Sequence, residues 1–156
     1  MRRWGTGLRL DLGAVDIILV PINVSGTHWV LVQVNVQDQY ILFYDPFGAK
    51  DSQGYVDAVR RWLVDELRSK LGNEAVAKWA VDQWEVAMDD DFPRQTDCGS
   101  CGVFVLVVAY YLSLGKALTF SQDDIDVLRQ RIAIALYLDE LDSAAPATVA
   151  CGVEGP

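Results

Sequence analysis

Apolar positions along this chain switch between the period of a strand and the period of a helix, and the switches mark its elements. From Asp16 to Asn23 the apolar run is almost unbroken, which reads as a buried strand. A turn at Ser25-Gly26-Thr27 follows. His28 to Val36 is rich in β-branched residues and partly alternating, a second strand. Gln37-Asp38 is a tight connection to a third strand, Tyr40 to Tyr44, so the second and third strands should pair as an antiparallel hairpin. Asp45-Pro46-Phe47-Gly48 ends that hairpin, because proline cannot continue a central strand. From about Ser52 to Leu71 the period becomes helical. Val56, Val59, Leu63 and Leu67 share one stripe, while Arg60, Arg61, Asp65 and Arg68 lie largely off it. Gly72-Asn73 is a helix stop. Trp79 to Met88 is expected to be a further strand, and the acidic stretch from Asp89 to Pro93 a loop. Cys101 to Leu114 is apolar nearly all round, as a central core helix would be. Ser121 is a good N-cap, with Asp123 and Asp124 in the first turn of a final helix through about Leu138.

This order of elements predicts an α+β fold, a small mixed sheet packed against the Cys101 helix. Its 156 residues suit one domain, and half of them are hydrophobic, enough for a core. The domain is expected to span residues 1–142. Residues 143–156 have no periodicity and are expected to be a disordered tail.

Charge and cysteine usage narrow the function classes. A net charge of −9 argues against a nucleic-acid binder, whose footprint would be basic. Such charge ordinarily serves solubility, and otherwise fits a basic partner surface. Cys98, Cys101 and Cys151 are an odd set and suggest no disulfide framework. A structural zinc site takes about four ligands, and one Cys98-x-x-Cys101 pair with a single histidine does not supply them. No metal or other cofactor is expected. Arg2-Arg3 is not followed by a signal-peptide core, and the run Val103 to Leu112 is shorter than the roughly 20 residues a membrane span takes. A cytoplasmic or nuclear setting fits best.

The chemistry concentrates in Gln95-Thr96-Asp97-Cys98-Gly99-Ser100-Cys101-Gly102. A thiol here stands at the first turn of a buried helix, whose partial positive charge favours a thiolate. Gln95, six positions before Cys101, can offer a side-chain N–H to a developing oxyanion. A thiol hydrolase also needs a base and a group to orient it. His28 is the chain's single histidine. It opens one strand of the expected hairpin and Asp45 closes the other, so antiparallel pairing would bring them together. Taken singly, these residues are unremarkable: a histidine at a strand start is ordinarily a surface residue, and an aspartate before proline a turn former.

As a set, Pro21, His28-Trp29, Tyr44-Asp45 with Gly48, and Gln95 with Ser100-Cys101-Gly102 resemble the ubiquitin-like protease family. These are the SUMO (sentrin) proteases, relatives of the adenovirus-type cysteine proteases. The separations from His28 to Asp45 and from Gln95 to Cys101 match the family pattern, and the similarity runs from about residue 2 to about residue 140. It implies that Cys101 is the nucleophile, His28 the base, Asp45 its orienting acid and Gln95 part of the oxyanion hole with the Cys101 N–H. Trp29 would pack over a substrate's C-terminal Gly-Gly. Cys98 mimics the family's Asp-Cys-Gly, but the helix start and the spacing from Gln95 both favour Cys101. Cys98 is expected to be a bystander that can cap Cys101 as a reversible disulfide. The family's catalytic domain normally extends upstream of the Arg2-Arg3-Trp4 segment, so residues 1–142 are expected to lack its N-terminal part.

The implied activity is that of a cysteine-type endopeptidase and deSUMOylating isopeptidase, a hydrolase cleaving after the Gly-Gly of SUMO or a related ubiquitin-like modifier through a thioester. The modifier and its conjugates would be the partners. The rival readings are a catalytically impaired binding module for ubiquitin-like proteins, an acetyltransferase, and a processing protease of a virus or mobile element.

Overall fold

The computed structural model describes residues 11–48, 53–88 and 92–138. The Arg2-Arg3-Trp4 segment and the tail 143–156 lie outside them. Four strands form one mixed sheet: β1 (Ile17–Val24), β2 (His28–Asn35), β3 (Tyr40–Tyr44) and β4 (Glu85–Met88), side by side in that order. β1–β2 and β2–β3 are antiparallel, whereas β3–β4 is parallel. A parallel neighbour needs a long crossover. Helices α1 (Gln53–Leu71) and α2 (Asn73–Trp79) lie within it. Helix α3 (Cys101–Ser113) and helix α4 (Ile125–Leu138) complete the elements of the described residues.

Strand alternation divides the core between the two faces of the sheet. Val30, Val32 and Val34 of β2, with Ile41 and Phe43 of β3, pack with Val56, Val59, Leu63 and Leu67 of α1. The intervening Leu31 and Tyr44 pack on the other side with Phe104, Val107 and Val108 of α3 and with Ile125 and Leu128 of α4. The result is three layers, α1 against one face of the sheet and α3 with α4 against the other. The apolar stripe read for α1 is the buried one. Helix α3 is less completely enclosed than its composition suggests, because Leu106 is 54% exposed.

The sheet edges carry their own signatures. Pro21 sits in β1, an edge strand, where a missing N–H costs no ladder bond. The β1–β2 turn takes positive φ at Ser25 and Gly26, as tight hairpin turns demand. That turn delivers His28 as the first residue of β2, opposite Val24.

The segment expected to be one strand from Trp79 to Met88 is different. Trp79 ends α2, residues Val81–Gln83 form a 3-10 turn, and only Glu85–Met88 joins the sheet. Ala80 adopts a left-handed conformation, φ 44°, which stops the helix. The Trp84 indole N–H then donates to the Trp79 carbonyl at 2.7 Å, and the two indoles stack at 6.0 Å. At the other end, Ser121 and Asp124 form a reciprocal cap around a 3-10 turn, and α4 proper begins one residue later.

Candidate active site

Three segments converge at one end of the sheet: the start of β2, the turn after β3, and the loop leading into α3. β2 and β3 are in antiparallel register, with Leu31 opposite Tyr44. This brings His28 to Asp45, with Nε2 2.8 Å from Oδ1. The Asp45 side chain is 5% exposed and that of His28 17%. The same Oδ1 accepts the backbone N–H of Phe47 at 2.8 Å, and the Asp45 carbonyl accepts the N–H of Gly48 at 2.7 Å. Asp45-Pro46-Phe47-Gly48 is therefore a reverse turn reinforced by its own first side chain, with proline second and glycine at φ 75° last.

A carboxylate can only accept, so Nε2 of His28 carries the hydrogen of this bond, and in a neutral ring the lone pair falls to Nδ1. Nδ1 is buried and has no hydrogen-bond partner among the described residues. The Phe47 ring, 54% exposed, lies over the imidazole at 4.8 Å between centroids.

Helix α3 starts at Cys101. Ser100 does not cap it with its side chain, but its carbonyl accepts the first helical bond, from Phe104 at 3.0 Å. The N–H groups of the first turn are left pointing out of the helix, at its positive end. Cys101 is buried and Cys98 exposed, and both thiols are free. Trp29 has the same strand parity as Leu31 and faces α3. Its Cδ1 lies 3.5 Å from where a Cβ on Gly102 would sit. The indole thus covers the residue after Cys101, and it is 39% exposed. The structure brings His28 to Asp45 and Trp29 to Gly102. It draws no hydrogen bond between His28 and Cys101.

Gln95 is buried, and its Nε2 donates to the carbonyl of Asp97 at 2.6 Å. That leaves one amide hydrogen uncommitted, and Oε1 is buried without a partner among the described residues. The backbone N–H of Gln95 donates to the Pro46 carbonyl at 2.9 Å, tying this segment to the Asp45 turn.

Sequence reasoning missed the residue that shapes the loop, Asp97. Its Oδ1 accepts the N–H groups of Gly99 (3.0 Å) and Ser100 (2.9 Å). Its Oδ2 accepts the Ser100 hydroxyl (2.6 Å) and the Gln122 amide (2.9 Å). The Ser100 hydroxyl, and after it the Gly99 N–H, hold the Asp97 carboxyl below the usual carboxylate range, against the opposing effect of burial. Gln122 also accepts from Thr96 N–H at 2.8 Å, and Arg129 donates to the Ser100 hydroxyl at 3.2 Å. The residues before Cys101 are thus braced by Gln122 of the 3-10 turn ahead of α4 and by Arg129 of α4 itself. An aspartate followed two and three positions on by Gly99 and Ser100 is the one sequence signal that pointed there.

A histidine with an oriented ring thus opens a strand that packs on a helix beginning with a buried cysteine. The sequence profile of the Ulp1 protease family's C-terminal catalytic domain matches residues 1–142, and the chain belongs to that family. Ubiquitin-like-specific protease ESD4 of Arabidopsis thaliana is 30% identical over 135 residues, covering 85% of this chain and 26% of that protein. Sentrin-specific protease 5 of Homo sapiens is 32% identical over 132 residues, covering 85% of this chain and 16% of that protein. The chain therefore spans about a quarter or less of the length of these relatives. Among solved structures, the SUMO protease Ulp1 with its catalytic cysteine oxidised to a sulfonic acid superposes with a TM-score of 0.74. It is 22% identical, covering 88% of this chain and 60% of that one. The C-terminal Ulp1 protease domain in complex with Smt3, the yeast ortholog of SUMO, gives 0.72 at 21% identity, covering 88% and 59%. The α+β fold expected from the sequence is the fold of these domains.

Proposed function

We propose that this chain is a cysteine peptidase and isopeptidase that cleaves after the C-terminal Gly-Gly of SUMO or a related ubiquitin-like modifier. The observation that carries the reading is the His28–Asp45 pair at 2.8 Å, with its second ring nitrogen uncommitted, on a strand whose next residue covers the start of the Cys101 helix. Membership of the Ulp1 protease family supports the reaction class. The sentrin-specific relatives, and the solved Ulp1 domain bound to Smt3, support SUMO as the first choice of modifier.

In this mechanism His28 Nδ1 takes the proton of the Cys101 thiol, and the imidazolium is held by Asp45. The thiolate attacks the terminal glycine carbonyl. The oxyanion takes hydrogen bonds from the Cys101 N–H, at the open end of α3, and from the free amide hydrogen of Gln95. Collapse breaks the C–N bond, and the leaving amine takes the proton from His28. The modifier remains as a thioester on Cys101. Water, deprotonated by His28, attacks the thioester, and the thiolate departs and regains that proton. Trp29, which covers Gly102, would flank the modifier's tail, where an indole leaves room for glycine and not for branched side chains.

The test is a panel of C-terminally activated SUMO, NEDD8 and ubiquitin probes with the wild-type chain and Cys101→Ala. Covalent capture of the SUMO probe by the wild type alone is the expected result. Binding of the modifier without capture would overturn the catalytic reading in favour of a binding module.

A further inference from the structure

The mechanism leaves Arg94 unused, yet Arg94 touches both halves of the site. Its Nη1 donates to the Asp45 carbonyl at 3.0 Å, a bond across 49 positions of sequence. Its guanidinium carbon lies 5.4 Å from the centre of the Phe92 ring. Phe92 in turn meets Tyr44 edge-on at 5.4 Å, and Tyr44 is the residue before Asp45. The guanidinium also occupies the space beside Gly48 where a side chain would stand. A Cβ there would come within 2.8 Å of Nη1 and 3.2 Å of Cζ. One residue further on, the Gln95 N–H donates to the Pro46 carbonyl at 2.9 Å.

The guanidinium thus lies between the turn that carries Asp45 and the Phe92 ring. It is bonded to the acid's own carbonyl. The segments 44–48 and 92–95 are joined by a main-chain bond, a guanidinium bond and an aromatic contact. Lysine could supply the charge, but neither the planar shape that fits beside Gly48 nor a fork of donors. We propose that Arg94 is a positioning residue. It makes the Asp45 turn and the Gln95 segment one rigid unit, so that the group orienting His28 and the amide serving the oxyanion keep a fixed separation through the catalytic cycle. This rests on the peptidase reading above.

Misplacement of catalytic groups by an ångström or less lowers turnover more than binding, so loss of the strut should appear in kcat. The assay is steady-state hydrolysis of a SUMO C-terminal aminocoumarin amide by the full chain, with thermal melting alongside. Arg94→Lys, which keeps stem and charge, is expected to lower kcat about fivefold or more with KM within about twofold. Arg94→Ala is expected to lose about tenfold or more, and millimolar guanidinium ion should restore part of it. Gly48→Ala should destabilise the wild type more than it destabilises the Arg94→Ala variant, because the clash is with Arg94 itself. Wild-type kcat in Arg94→Lys overturns the proposal, as does additivity of Gly48→Ala with Arg94→Ala. A wild-type chain that neither turns over the amide nor captures a SUMO probe overturns the peptidase reading, and this role with it. Normal wild-type turnover with unchanged kcat in the Arg94 variants overturns the Arg94 role alone.

Discussion

Oδ1 of Asp45 accepts two hydrogens at once, from Nε2 of His28 at 2.8 Å and from the backbone N–H of Phe47 at 2.8 Å. One oxygen therefore fixes both the orientation of the His28 ring and the turn that carries Asp45 itself. This separates two functions of the carboxylate, geometry and charge. Asparagine could offer a carbonyl oxygen to both donors, and so keep the geometry while losing the charge. Alanine loses both. The expected order of kcat/KM is wild type, then Asp45→Asn, then Asp45→Ala, with the alanine variant down by about a hundredfold or more. Equal losses in the two variants would mean that charge on the imidazolium's partner, and not its placement, is what matters.

The two thiols of the loop occupy different environments. Cys101 opens α3 and is buried, whereas Cys98 is exposed in the turn before it. Only the first lies at the positive end of a helix. Cys98→Ser is expected to retain activity within about twofold and Cys101→Ala to lose probe capture entirely. Mass spectrometry of the captured adduct locates the labelled cysteine directly. An adduct on Cys98 would reverse the assignment.

How much of this was legible in the sequence depended on how far apart the partners stand. The His28–Asp45 pair followed from a hairpin, because a short turn and strand alternation fix the register over 17 positions. The start of α3 followed from a glycine-rich turn meeting an apolar run. The Trp79 region was misread because Trp79 and Val81 alternate with small or polar neighbours as a strand would. What decides their conformation is the left-handed Ala80 and an indole bond back to a carbonyl, neither of which has a period. The brace on the Cys101 loop reaches Gln122 and Arg129, 25 and 29 positions away, and the Arg94 bond spans 49. Such contacts depend on how segments far apart in the chain pack together, which no local pattern encodes.

Gln95 is held by its own amide. Nε2 donates to the Asp97 carbonyl at 2.6 Å, so the amide cannot flip without setting two oxygens against each other. Gln95→Ala removes the proposed oxyanion donor and should lower kcat about ten- to a thousandfold with little change in KM. Gln95→Glu should be worse. It faces a carbonyl with a carboxylate and sets negative charge where the oxyanion forms. Stopped assays at saturating substrate distinguish the two, and a milder effect from glutamate would remove Gln95 from the oxyanion hole.

Asp97 makes a prediction about stability that needs no activity. Its carboxyl is held below the ordinary value of 3.8 by the Ser100 hydroxyl and the loop N–H groups, so the folded chain binds that proton less readily than the unfolded one. The resulting stabilisation is complete above the unfolded value and disappears as pH falls through the lower, folded one. Asparagine has one acceptor oxygen, and its NH2 would confront the donors now bonded to Oδ2. Asp97→Asn should therefore melt below the wild type by a margin that is constant from pH 7 to about pH 5 and narrows below about pH 4. Thermal melts of both chains across that range measure the margin. A margin that stays flat down to pH 3 would show that the ionised carboxylate contributes nothing beyond its shape.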